Sequence, residues 1–196
     1  MGEWRHKALP LGPRHSGGKP VRVDKELISA NEIAAKLEEM GKAITVDYQG
    51  KDLLMVGVLK GAFIVMADLA RHIELPVEFD FMAVSSYGAA TQTSGVVRIL
   101  KDLDQEIAGR HVLIVEDIID SGLTLHYLMR NLKVRQPASL GVAALLIKDG
   151  IERPPLDVEY EGFHIPPEFV IGYGLDFEGK YRNLPYVAVM VPDDEA

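Results

Sequence analysis

The chain contains no cysteine. That excludes a disulfide framework and any thiolate-held metal site, and it fits a reducing compartment, so the cytoplasm is the expected location. No stretch approaches the ~18 uninterrupted apolar residues of a membrane-spanning helix, so no membrane partner is expected. The first twenty residues lack an apolar core of signal-peptide type. They carry Arg5, Lys7, Arg14, Lys19, Gly17-Gly18 and three prolines, and read as a mobile tail over residues 1–20. A basic footprint is missing too: the formal charge is −8 and the pI about 5.2, which argues against a nucleic-acid partner. The six histidines are scattered without paired ligand spacing. Finally, the G-x-x-x-x-G-K-[ST] loop of nucleoside triphosphate sites does not occur.

What remains is a chain of 196 residues, 47% hydrophobic, of a size that suits one compact domain with a sizeable core. Ser29-x-x-Glu32 matches a capping box, and Ile33, Leu37, Met40 and Ile44 follow at helical spacing, which predicts a helix from about Ala30 to Ala43. Leu53 to Leu59 is an apolar run suited to a strand buried on both faces. A helix from about Ala62 to Ile73 follows, then strands over Val77 to Ser85 and, as a possible antiparallel partner, Val96 to Leu100. Further strands are expected at His111 to Val115 and Leu140 to Ile147, with a helix from Leu123 to Val134 between them. This alternation implies an α/β fold with a mainly parallel, twisted sheet flanked by helices. After Gly150 the rhythm breaks into a proline- and acid-rich stretch, with short strands at Phe169 to Gly172 and Tyr186 to Val191. Residues 21–196 are read as a single domain in which segments of about 21–50 and 151–196 form a small hood over the sheet.

The most informative segment runs from His111 to Leu125, HVLIVEDIIDSGLTL. It reads as a buried strand, an acidic pair (Glu116, Asp117), a spacer, the turn Asp120-Ser121-Gly122-Leu123-Thr124, and a helix. Gly122 permits a tight curl, the free N–H groups of the helix start form an anion seat, and the hydroxyls of Ser121 and Thr124 add donors. Carboxylates beside such a seat would repel a bare polyphosphate unless they face hydroxyls or a cation. A sugar phosphate offers both ends, phosphate for the turn and a diol for Glu116 and Asp117. The competing reading is that Asp117 and Asp120 merely cap the helix and offset its dipole. The strand-turn-helix unit occurs twice, at Leu53 to Ile73 and His111 to Val134, so a second anion seat is expected at Lys60-Gly61; a snorkelling surface lysine is the alternative there. Lys148 at a strand end and Phe169-Val170 could equally be ordinary strand residues, and Ser85 to Gly95 an ordinary hairpin. Gly172-x-Gly174 suggests a dinucleotide fingerprint, but the third glycine position is Phe177, which rules that reading out.

The string V-E-D-I-I-D-S-G-L-T resembles the phosphoribosyl-pyrophosphate motif of the type I phosphoribosyltransferases and is closest to their bacterial-type hypoxanthine-guanine branch. The resemblance extends from about Leu53 to Val191 through Leu59-Lys60-Gly61, Ser85-Ser86-Tyr87-Gly88, Leu146-Ile147-Lys148, and Phe169-Val170-Ile171-Gly172-Tyr173 with Asp176 and Arg182. It implies purine salvage: transfer of the 5-phosphoribosyl group from phosphoribosyl pyrophosphate to hypoxanthine or guanine. By this resemblance Asp120 handles the proton at purine N7, and Asp120 to Thr124 (Asp120, Ser121, Gly122, Leu123, Thr124) hold the 5′-phosphate. Glu116 and Asp117 hold the ribose hydroxyls. Lys60, Gly61 and Arg182 hold pyrophosphate, across a Leu59–Lys60 peptide that can be cis. Lys148, Phe169 and Val170 recognise the purine: a donor-only lysine suits a 6-oxo group better than a 6-amino group. Ser86 and Tyr87 belong to a loop that closes over the reaction centre. The implied cofactor is Mg2+, at Glu116, Asp117 and Asp176. The implied assembly is a homodimer or homotetramer. The alternatives are a regulatory protein that senses phosphoribosyl pyrophosphate, or a xanthine- or adenine-directed enzyme of the same fold.

Overall fold

The computed structural model describes residues 21–86 and 97–192. The expected tail at 1–20, and Tyr87 with the rest of the expected closing loop to Val96, lie outside the described residues. Nine strands and three helices are seen among them: β1 (Val21–Ile28), α1 (Ala30–Asp47), β2 (Leu53–Leu59), α2 (Phe63–Ala70), β3 (Val77–Ser86), β4 (Val97–Lys101), β5 (His111–Ile119), α3 (Leu123–Lys133), β6 (Ser139–Lys148), β7 (Tyr160–Ile165), β8 (Val170–Ile171) and β9 (Val187–Pro192). The main sheet has the order β4-β3-β2-β5-β6-β7. It is parallel except for β4, the antiparallel partner of β3.

Alternate residues of each central strand serve opposite faces. Met55, Leu113, Val115 and Leu145 enter one core with Ile33, Leu37 and Ile44 of α1 and Val65 and Leu69 of α2. Leu54, Val56, Val112, Ile114, Val142 and Ala144 enter the other with Leu125, Leu128 and Leu132 of α3. Cover on both faces is why these strands read as unbroken apolar runs rather than alternating ones. The capping box at Ser29 and Glu32 is formed, and α1 runs one turn past Ala43, because Ile44 still faces the core and the Tyr48 N–H bonds back to its carbonyl. No helix among the described residues is long and apolar enough to cross a membrane.

Three elements differ from expectation. β5 does not stop at Val115 but continues to Ile119, with Glu116 in register with Ala144 and Ile119 with Ile147. The acidic pair therefore sits on a rigid strand. β1 was not anticipated; its alternation is blurred by charged residues, and its partner β9 lies more than a hundred and fifty residues away in sequence. β7 was hidden in the proline- and acid-rich stretch, yet it forms the edge of the main sheet beside β6. Of the segments assigned to the hood, β1, β9 and β8 make a separate three-stranded sheet around Ile171, Leu184, Ala188 and Met190. α1 and β7 instead share the main core.

The order of the main sheet fixes where a ligand can enter. From β2 the chain steps to β3 on one side, while β5 lies on the other side of β2. Between β2 and β5 the winding reverses, and in open α/β sheets a ligand sits outside the carboxyl ends of the strands at such a point.

The first half of β3 is pinned by a buried carboxylate. Asp80 is 4% exposed, accepts from the N–H groups of Phe81 (2.7 Å) and Asp104 (2.8 Å), and meets Lys101 Nζ at 3.3 Å. Burial raises its pKa, but these hydrogen bonds and the ammonium outweigh burial and leave it below the ordinary 3.8. A carboxylate held low in the folded state contributes stability above its unfolded value and loses it as pH falls through the folded one. Asp80→Asn should therefore lower the unfolding free energy by about 1–3 kcal/mol at neutral pH. The gap to wild type should narrow as pH drops below 3.8, read from urea melts across that range.

Candidate active site

The loops after β2 and β5 both contain a glycine, Gly61 and Gly122, and the first of them lies against β5 itself. A side chain on Gly61 would run into the carboxylate of Asp117, so only glycine lets the β2–α2 loop lie against the acidic pair. The Leu59–Lys60 peptide is cis. Gly174 has φ +101°, and a side chain there would collide with the carbonyl oxygen of Gly61. Gly61 is thus held between Asp117 on β5 and Gly174 on a hairpin that follows β8. Lys60 is exposed beside it.

That hairpin carries two further expected residues. Gly172 pairs with Leu175 and Phe177 with Lys180, folding the segment back on itself. Arg182 Nη1 donates to the Gly174 carbonyl at 2.5 Å, and Arg182 Nη2 meets Asp176 Oδ1 at 2.5 Å. The other Asp176 oxygen accepts from the Gly179 N–H at 2.7 Å. Buried Tyr173 anchors the hairpin to α2 by donating its hydroxyl to Asp68 at 2.6 Å. Phe169 is 51% exposed and packs edge-on against Phe177, with ring centroids 5.9 Å apart. Val170, by contrast, turns its side chain into the core.

The turn after β5 is an open helix start. Gly122 caps α3 in the left-handed region, φ +70°, and no side chain caps the helix. The first intrahelical bond is the His126 N–H to the Gly122 carbonyl, so the N–H groups of Leu123, Thr124 and Leu125 have no partner within the helix. The first turn carries no acidic residue. The capping role weighed for Asp117 and Asp120 does not hold: Asp117 accepts from the adjacent Ile118 N–H at 3.0 Å, and Asp120 receives Lys148 Nζ at 2.8 Å. Ser121 is exposed and Thr124 half-buried at the rim.

Electrostatically the crevice is poised. Burial, then the neighbouring charge of Asp117, pushes the Glu116 carboxyl well above its usual range. Burial also lifts Asp117 to about 6, against the pull of its N–H bonds and of Arg182, with Asp176 adding to the rise. Two carboxyls held high beside an unfilled row of N–H donors suit a ligand that brings an anion to one place and hydroxyl donors or a cation to the other.

Lys148–Asp120, Gly61–Asp117 and Asp117–Arg182–Asp176 are thus brought together, around one crevice. Phe169 joins them only through the hairpin. Ser86 ends β3, paired with Val97. Among the described residues no three His, Asp or Glu side chains converge as a metal centre. Glu116, Asp117 and Asp176 are therefore not a single preformed set. Sequence reasoning weighed Gly174 only within a discarded dinucleotide fingerprint, because its close approach to Gly61 leaves no local signature, and it passed over residues of the β6–β7 connection that lie on the Gly122 turn.

An α/β sheet with an open helix start and a buried carboxyl pair, both carried by the strand beside its switch point, defines the class of α/β proteins suited to a phosphorylated ligand at the strand ends. The chain belongs to the phosphoribosyl transferase domain family, whose pattern matches residues 25–178. It is 51% identical over 179 residues to a hypoxanthine-guanine phosphoribosyltransferase of Mycobacterium avium, spanning 88% of each chain. The enzyme of that name from Bacillus subtilis is 48% identical over 170 residues, 87% of this chain and 94% of the relative. The crystal structure of a hypoxanthine phosphoribosyltransferase from Staphylococcus aureus superposes with a TM-score of 0.84 at 40% identity, covering 89% of this chain and 95% of that one.

Gly61 is the position where the site tolerates least. Gly61→Ala should displace the Asp117 carboxylate and lower kcat/KM for phosphoribosyl transfer by roughly 100-fold or more, as misplacement of site groups does. Steady-state kinetics, with circular dichroism to verify the fold, reads this directly.

Proposed function

We propose that the chain transfers the 5-phosphoribosyl group of phosphoribosyl pyrophosphate to hypoxanthine or guanine, giving the purine nucleoside monophosphate and pyrophosphate. The observation that carries this reading is the uncapped start of α3, facing a crevice whose opposite wall is the Gly61–Asp117 contact. One end of the crevice suits a 5′-phosphate, the other a pyrophosphate. The names of the relatives at about half identity over most of the chain agree with it.

In this reading the N–H groups after Asp120, with the hydroxyls of Ser121 and Thr124, hold the 5′-phosphate. Glu116 and Asp117 take the ribose hydroxyls and regain charge as they do. Lys60, the Gly61 backbone and Arg182 hold pyrophosphate, and Arg182 does so once it exchanges Asp176 for the ligand. The bond from C1′ to the pyrophosphate oxygen breaks, and pyrophosphate leaves with the electron pair. The bond from C1′ to purine N9 forms, and Asp120 accepts the purine proton at N7. Carboxylates near the ring favour the positive charge that develops on the ribose. Lys148 donates to the 6-oxo group, Phe169 offers a ring face to the base, and Val170 contributes backbone groups at its edge. Ser86 and Tyr87 exclude water from the reacting carbon. The residues fit Mg2+: Asp117 and Asp176 are oxygen donors too few for an all-protein cage, as suits a cation that completes its shell with water and phosphate oxygens. When bound, it would neutralise charge on the departing pyrophosphate.

A sugar bearing a phosphate and a pyrophosphate does not cross a bilayer unaided, so the enzyme works where that substrate is made; we assign it to the cytoplasm. Self-association completes the proposal. Phe63 (45% exposed) and Phe79 (46%) adjoin Met66, Ala67, Ala70 and Phe81 across α2 and β3, with Arg71 and Asp68 at the rim. An apolar centre with both signs of charge at its edge suits pairing with a second copy about a two-fold axis, as a dimer or within a tetramer.

The test is a purine panel assayed with phosphoribosyl pyrophosphate and Mg2+. Hypoxanthine and guanine should release pyrophosphate, and adenine should not. Salt-sensitive nucleic-acid binding without turnover would favour a regulator instead. Asp120→Asn should cut kcat by roughly 100-fold or more while leaving phosphoribosyl-pyrophosphate affinity near wild type; unchanged turnover removes the proton role. Phe79→Glu should shift the sedimentation coefficient toward the monomer, and an unshifted value means that this face is not the contact.

A further inference from the structure

The connection between β6 and β7 contains Arg153, a half-buried residue with no role so far. Its guanidinium Nη2 donates to the carbonyl oxygen of Lys148. Its stem rests on the phosphate turn: a β-carbon on Gly122 would lie 3.7 Å from Arg153 Cβ and 3.9 Å from its Cδ. Leu156, three residues on, presses its δ-methyl on the same glycine and packs into the core beneath α3. The Lys148 side chain, 12% exposed, reaches back to Asp120 at 2.8 Å, two residues before Gly122. The contacts close a ring: Asp120 to Gly122 along the chain, Gly122 to Arg153 by packing, Arg153 to Lys148 by hydrogen bond, and Lys148 to Asp120 by ion pair.

Resting on the function proposed above, we infer that Arg153 is a positioning residue for purine recognition, which sets the reach of Lys148 by holding its backbone against the 5′-phosphate turn. The chemistry favours this over a general surface role. Lys148 is the last residue of β6, and its carbonyl lies where the pairing to β7 ends, at Ile165. At that point the backbone needs another donor, and arginine supplies it from a fork whose base is fixed on Gly122. Glycine suits the place under the stem because its φ is +70°, and a β-carbon there would push on the Leu156 δ-methyl 2.7 Å away. A purine that takes Lys148 must draw it from Asp120. A strand end held by Arg153 lets the ammonium swing between carboxylate and base without losing its pivot. Occupancy of the phosphate turn and of the purine position then become coupled through one side chain.

Arg153→Met keeps the apolar stem and removes the donors. Relative to wild type it should raise the hypoxanthine KM by about tenfold, with the phosphoribosyl-pyrophosphate KM changed by less than about twofold; contacting groups couple on this scale. In a Lys148→Ala background the same substitution should change the hypoxanthine KM by less than about twofold, because the group it positions is gone. Calorimetry with the nucleotide product and with its sugar-phosphate fragment reports on the fold as well. Ribose 5-phosphate should bind as to wild type, and inosine monophosphate about tenfold more weakly. Additive effects in the double variant, or equal losses for both fragments, would overturn the inference: the first makes the two residues independent, and the second makes Arg153 a phosphate ligand. An unchanged hypoxanthine KM overturns it as well. Wild-type protein without turnover on any purine would instead sink the proposed function.

Discussion

The apposition of the Gly61 backbone and the Asp117 carboxylate is the contact on which the site depends. It exists because β2 and β5 are neighbours in the sheet while the chain winds away from them in opposite directions. The loop after β2 must then lie against β5, and there is no room between Gly61 and Asp117 for a β-carbon. The Gly172-Tyr173-Gly174 hairpin closes over the same point, with Gly174 against the Gly61 carbonyl and Tyr173 tied to α2. Three chain segments far apart in sequence thus converge on one glycine.

That convergence determines the electrostatics. β5 carries Glu116 and Asp117 into a partly desolvated place, where burial disfavours their charge. Two cations at the margin are already engaged, Arg182 with Asp176 and Lys148 with Asp120. The start of α3 adds an electropositive element supplied by backbone rather than by a side chain. A ligand with phosphate and hydroxyls satisfies the N–H row and the carboxyls together, and one with phosphate alone leaves the carboxyls unserved. Under the proposed function each ion pair opens for its cation to reach a ligand, so binding would exchange partners rather than add charge to a bare site.

Most of the main sheet was legible because its strands are covered on both faces and its helices on one. The stripe Ile33, Leu37, Met40, Ile44 carries the helical period, and the unbroken run Leu53 to Leu59 is short enough to read as a strand buried on both faces. The curl between β5 and α3 was legible because a glycine in the left-handed region is a local requirement. β1 and β7 were not: the pairing partner that makes each of them a strand lies elsewhere in the sequence, and their own patterns are interrupted by charge or flanked by proline. The length of β5 was misjudged because two acidic residues read as the end of a strand. Their neighbours Ile118 and Ile119 continue the ladder to β6, and only that ladder keeps Glu116 and Asp117 inside the sheet.

By itself the sequence determined the local chemistry: which segments are strands or helices of the core, which turn can offer amides to an anion, and which carboxyls stand beside it. These depend on residues within a few positions of one another, so chain order reports them. Tertiary structure alone decided which groups meet. It put Gly61 against Asp117 and Gly174, gave Lys148 to Asp120 rather than to solvent, locked Arg182 on Asp176, and laid Arg153 across Gly122. Those contacts come from strand order and from the path of connections over the sheet, which depend on the packing of the whole chain and on no single stretch of it.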